Sequence, residues 1–161
     1  MYLTIEKYKE LYGEIDSMAF NRACYDACKY MDRYTTGVDG VRKLREYFPV
    51  SKSSAEAVER CTAEIVSIIS QIQEAEKSAS VGRGYTQTEN GLQGKIVSSV
   101  SAGNESISYS ATGDQASAID GAVSDLTARD KLIRNTIRHY LSGETDKNGV
   151  NLLYLGVYPC V

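Results

Sequence analysis

A stripe of apolar residues at helical spacing runs through the middle of the chain: Val58, Cys61, Ile65, Ile68, Ile69 and Ile72. Steps of three and four residues put all six on one side of an α-helix, whereas a half-buried strand would need alternation. Ser53 or Ser54 can cap its start, and Glu56 and Glu59 suit the positive N-terminal end of the helix dipole. The pattern fades at residues 77–80, where fraying is expected. An amphipathic helix of this length needs partners for its apolar face, so the chain must build a helical core.

Three further helices supply those partners. Thr4 can cap a short helix over residues 5–12, with Lys7 where a capping box would carry an acid and Gly13 as the stop. Asp16 or Ser17 opens a second helix to about residue 34, with Phe20, Cys24, Ala27, Met31 and Tyr34 on one face. Residues 38–48 allow one more helical turn before Pro49. A fourth helix is predicted from Asp114 to about Leu141, with Ile119, Ala122, Val123, Leu126, Ile133, Ile137, Tyr140 and Leu141 inward. Gly121 weakens its first half, and Asp125/Arg129 and Asp130/Arg134 stand as i,i+4 ion pairs.

Between the last two helices the composition shifts to Gly and Ser. Residues 82–94 read as a loop. Residues 95–100 and 106–109 read as a small β-hairpin, with Ile96, Val97, Val100, Ile107 and Tyr109 as its apolar positions and residues 102–105 as its turn. A lone two-stranded hairpin is marginal in water, so a neighbour is expected. After Gly143 comes a polar turn, then an apolar, strand-like segment from Val150 to Tyr158 with no partner strand behind it. An unpaired apolar strand invites pairing, so another chain or the hairpin is expected to cover it.

The chain thus reads as one mainly α domain over residues 1–161. It is a bundle of about four helices with a loop and hairpin insertion at 81–113 and an extended C-terminal arm at 144–161. At 161 residues and 42% apolar content it can bury a sizeable core. The net charge of −3 gives no footprint for nucleic acid, and a DNA-binding regulator would need a basic recognition helix where the fourth helix mixes signs. No apolar run reaches the roughly 18 residues of a membrane span. Residues 1–10 lack the basic and apolar parts of a secretory leader, so synthesis in the cytoplasm is expected.

Catalytic chemistry finds little support. The one histidine, His139, has no partner set in the sequence, and Gly82-Arg83-Gly84 lacks the Gly-Lys-Ser/Thr end of a phosphate loop. Cys24, Cys28, Cys61 and Cys160 read as free thiols, since a zinc site would need more soft ligands nearby. No enzyme activity, cofactor or metal is expected. Glu56, Glu59, Glu64, Glu74 and Glu76 read as a solvated face, or as an acidic lining that repels passing DNA. The twelve tyrosines suit half-buried surfaces and subunit contacts; Tyr2, Tyr8 and Tyr12 are expected in the core of the first helix, with a surface against a partner as the alternative.

Two ends of the chain then carry a resemblance. The start, residues 2–13 (YLTIEKYKELYG), is followed by Ala19-Phe20-Asn21-Arg22 and Asp32-Arg33-Tyr34-Thr35. The end reads Ile137-Arg138-His139-Tyr140-Leu141-Ser142-Gly143, then Asn148-Gly149-Val150-Asn151-Leu152-Leu153-Tyr154-Leu155-Gly156-Val157. Between them a long helix opens on Ala57-Val58-Glu59-Arg60-Cys61 and closes on Gln71-Ile72-Gln73. This order resembles the small head–tail connector (adaptor) proteins of long-tailed phages and prophages of Gram-positive bacteria.

The resemblance implies a structural virion protein at the head–tail interface, forming a ring, usually dodecameric, under the portal protein. Such a ring extends the channel through which genomic DNA passes without sequence-specific binding, and it docks a stopper or tail-completion protein. On this reading Leu152, Leu153, Tyr154, Leu155 and Val157 contact the portal or a neighbouring subunit, by adding a strand. The hairpin residues Ile96, Val97, Val100, Ile107 and Tyr109 contact the next ring or the lumen. The runner-up is another neck protein, a stopper or tail-completion protein; those tend to be β-rich, and the four predicted helices count against it.

Overall fold

The computed structural model describes residues 1–81, 83–88, 91–96, 99–102, 105–108 and 118–159, with side chains described over 1–77, 118–119, 121–123 and 125–159. The fold is mainly helical. The apolar stripe lies on its longest helix, α4 (Lys52–Val81), with Val58, Cys61, Ile65, Ile68, Ile69 and Ile72 all buried. The helix starts slightly earlier than expected: the Ser51 carbonyl accepts from Ala55 N at 2.9 Å and closes the first turn. Its far end does not fray at 77–80. Glu76 meets Arg129 at 2.6 Å, a tertiary contact that propensity does not register.

Around α4 pack α1 (Ile5–Tyr12), α2 (Ser17–Thr35), α5 (Ala118–Ser124) and α6 (Leu126–Leu141); the single turn α3 (Lys43–Glu46) sits against α2. The caps explain the boundaries. Thr4 Oγ1 accepts from Lys7 N, Asp16 accepts from Met18 N and Ala19 N, and Gly13 ends α1 at φ +89°. Phe20, Ala23, Cys24, Ala27 and Met31 of α2 fill the core with Ile133, Ile137 and Leu141 of α6. The Cys61 and Met31 sulfurs lie 3.4 Å apart inside it. Each buried Ile or Leu contributes about 1.5–3 kcal/mol.

The fourth predicted helix is two helices. Asp125 leaves the helical region at φ −130°, ψ 116°, and its carboxylate caps α6 by accepting from Thr127 N at 2.8 Å. Asp favours caps over helix interiors, and Gly121 upstream lowers the cost of stopping. The two i,i+4 ion pairs give way to tertiary contacts. Arg129 binds Glu76 and the Ala122 carbonyl, while Asp130 binds Arg33 and the Tyr34 hydroxyl. Residues 114–117 lie outside the described residues.

The single predicted hairpin is not supported. β1 (Arg83–Thr88) pairs antiparallel with β2 (Gly91–Ile96), and β3 (Ser99–Ala102) with β4 (Glu105–Ser108). Lys95 and Ile96 pair back to Gly84 and Arg83, so the run 95–100 is divided between two ladders, and part of the expected 82–94 loop is strand. Each ladder joins nearest neighbours in sequence, the pairing with the lowest loop-closure cost.

The C-terminal arm departs furthest from expectation. No strand forms over 150–158. Asp146 Oδ1 accepts from Asn148 N and Val150 N, and Gly149 takes φ +79°. Leu152 N then returns to the Glu144 carbonyl at 2.9 Å, and Tyr154 N to the Asn151 carbonyl at 3.0 Å. These consecutive turns carry Leu152 into the core, where it is fully buried. The segment is therefore held by turns within its own chain, and not as a strand paired with another chain or with the hairpin.

Candidate docking surface

The arm rests on the connection between α2 and α3. Thr36 bridges to Arg42, Asp39 Oδ1 accepts from Val41 N at 3.1 Å, and Gly40 turns the chain at φ +81°. This tight loop presents an amide, a carboxylate and an ammonium to the arm. Val38 N donates to the Leu155 carbonyl at 2.8 Å, and Asp39 Oδ2 accepts from Tyr158 N. Lys43, 1% exposed, donates from Nζ to the Asn151 carbonyl at 3.2 Å and to the Tyr154 carbonyl.

A buried ammonium is costly unless hydrogen-bonded, and these carbonyls offset that cost. Burial lowers the Lys43 pKa, with the Asp146 and Asp39 carboxylates opposing the shift. Tyr158 completes the contact. Its ring stacks on Tyr47 at 4.6 Å, and its hydroxyl donates to Asp146 Oδ2 at 2.6 Å. Burial first, and then Asp146, pushes its pKa up to about 12. Lys147 sits over the Tyr47 ring at 4.9 Å and donates to the Glu46 carbonyl at 3.1 Å.

The outer side of this arrangement is apolar. Val38 is 79% exposed, Val157 67%, and Tyr154 and Leu155 47% each. The arm residues predicted from sequence divide accordingly: Leu152 belongs to the core, Leu153 packs against it, and Tyr154, Leu155 and Val157 face outward. Val38 was not singled out by sequence; it joins them because its amide is bonded to Leu155, a tertiary pairing with no sequence signal. Of the hairpin positions, Val97 and Tyr109 lie outside the described residues. Ile96, Val100 and Ile107 stand in strands, with Val100 opposite Ile107, and their side chains lie outside the description.

The remaining polar clusters tie helices together. Asp32 accepts from the Tyr2 hydroxyl and pairs with Arg45 at 2.6 Å, fastening the N-terminus to α2 and α3. Of the tyrosines expected in the core, Tyr8 is buried, Tyr2 is half-buried, and Tyr12 is exposed with its hydroxyl on Glu64. Glu64 and Glu76 thus serve tertiary contacts and are not part of a purely solvated face. Cys24, Cys28 and Cys61 are free thiols; the Cys24 thiol donates to the Leu3 carbonyl, and the mutual influence of Cys24 and Cys28 raises the first thiol's pKa and lowers the second's. Among the described residues no group of three or more His, Cys, Asp or Glu could hold a metal ion. Among them, no helix is long and apolar enough to cross a membrane. His139 is exposed on α6, edge-on to the Tyr140 ring.

A cleft of about 530 Å³ lies between α2, α4 and α6, with Ile69 and Ile72 beneath Lys29, Arg33, Glu76 and Arg129. Comparison with protein-family models, with curated proteins and with solved structures gives no match.

Proposed function

We propose that this chain is a structural adaptor of a phage neck, a subunit of a ring that sits under the portal, continues the DNA channel and receives a stopper or tail-completion protein. The reading places the protein in the virion, at the head–tail interface, with no catalytic role. Two things support it: the ordered resemblance of both chain ends to head–tail connector proteins, and the C-terminal face. That face carries the argument. Val38, Tyr154, Leu155 and Val157 are exposed apolar residues on a segment whose backbone is already tied down. Surfaces of this kind, apolar and preorganised, suit protein partners because little ordering entropy is lost on docking.

The way the arm docks is revised by its geometry. Strand addition needs free backbone groups, yet the carbonyls of Asn151, Tyr154 and Leu155 are occupied within the chain. In this conformation the arm docks through side chains, as a shaped apolar ridge. In a ring, the contact between neighbouring copies is heterologous and closes by rotation.

The test is a surface variant carrying Leu155→Asp and Val157→Asp. Both side chains are substantially exposed, so the folded bundle should keep its thermal midpoint. Cosedimentation with the portal protein of the same genome should be lost. Undiminished cosedimentation by the variant contradicts the assignment of this face.

A further inference from the structure

We infer that residues 153–159 form a strap, latched over the 37–43 loop by the buried Lys43 ammonium, that opens as a unit while the helical bundle stays folded. The inference rests on the geometry of the free subunit and not on the adaptor reading. From Leu153 to Pro159 no side chain is fully buried, so the strap contributes little to the apolar core. Its pivot, Leu152, is anchored in that core and marks where opening stops. Segments with few buried apolar contacts and mainly polar attachments open locally, at a lower free energy than global unfolding.

Three residues of one short loop hold the strap, and Tyr158 adds two attachments outside it, its ring on Tyr47 and its hydroxyl on Asp146. Val38 N holds the Leu155 carbonyl, Asp39 holds Tyr158 N, and Lys43 holds the carbonyls of Asn151 and Tyr154. Lys43 is the buried member of the set, and its bond to the Tyr154 carbonyl joins that ammonium to the strap. Closed, the ammonium has lost water and gained two carbonyls. Open, it keeps the Asn151 carbonyl, which precedes the pivot, and water replaces the Tyr154 carbonyl. Gly37 shows how closely the strap lies: a Cβ there would stand 2.6 Å from the Gly156 carbonyl oxygen. Opening frees the carbonyls of Tyr154 and Leu155 and the amide of Val38, which are the backbone groups that strand addition requires. The same segment therefore has two modes of contact: a closed apolar ridge, and an open arm able to pair.

Residue-level amide hydrogen exchange on the full chain tests this, comparing wild type with Lys43→Met and with Gly37→Ala. The first variant removes the ammonium and keeps the methylenes. The second crowds the Gly156 carbonyl, and with it the Asp39 carboxylate 2.7 Å from the added Cβ, without touching a buried group. The amides of Val38 and Tyr158 report the strap, and those of Ile65 and Ile69 report the bundle. Both variants should speed exchange at Val38 and Tyr158 by on the order of tenfold or more, with Ile65 and Ile69 unchanged. Unchanged protection of Val38 and Tyr158 in both variants overturns the latch. Equal acceleration at all four positions, or loss of the folded bundle in Lys43→Met, also overturns it, because strap and bundle would then open together.

Discussion

At the scale of single residues, the core and its titratable groups make the firmest predictions. Ile65 and Ile137 are fully buried where α4 and α6 supply the centre of the bundle. Truncating either to Ala removes its transfer free energy and leaves a cavity, so each substitution should cost about 2–5 kcal/mol in urea denaturation. A cost below about 1 kcal/mol would mean the site collapses freely, against the packing described. The pH dependence follows from raised pKa values. Burial, then the Glu64 carboxylate, pushes the Cys61 thiol up to about 12 from an ordinary 9.0. Burial, then a hydrogen-bonded carboxylate, raises Tyr2, Tyr12 and Tyr158 above their ordinary 10.0. The folded chain holds these protons more tightly than the unfolded one. Their stabilisation is therefore complete below the ordinary thiol value of 9.0 and is lost as pH rises towards about 12. Thermal midpoints should fall steadily above pH 9.0; a midpoint level to about pH 11 would contradict these assignments.

Among the elements, what was legible in the sequence separates by the kind of signal. The stripe from Val58 to Ile72 and the caps at Thr4 and Asp16 are local patterns, and each reappears in the fold. The break at Asp125 was also local, yet apolar periodicity continues across it from Ile119 to Leu141 and hides it. Asp125→Ala and Asp16→Ala each remove a capping carboxylate and should each cost about 1 kcal/mol, read as a lower thermal midpoint. A neutral Asp125→Ala would show that α6 needs no cap there. The arm was misread for a different reason. Its alternation of apolar residues looks like a strand, but its fate is decided by Val38, Asp39 and Lys43, more than a hundred residues away. No periodicity encodes such partners. Within the candidate site, the outward residues Tyr154, Leu155 and Val157 were readable as apolar; Val38, and the burial of Leu152, were not.

For the whole molecule, the helical core and the docked arm pack together among the described residues, and the arm presents an apolar ridge in place of an unpaired C-terminal strand. That changes the expected behaviour of the isolated protein. An open apolar strand would aggregate, whereas a latched one permits a stable free subunit. On the proposed reading, ring formation depends on a portal supplying the surface that the ridge fits. The most direct measurement is negative-stain electron microscopy of the chain mixed with portal assemblies from the same genome. The account predicts an added ring of density, coaxial with the portal channel, that is absent when Leu155→Asp and Val157→Asp are introduced. Bare portals in the wild-type mixture, or a ring that forms equally well with the double variant, would contradict it.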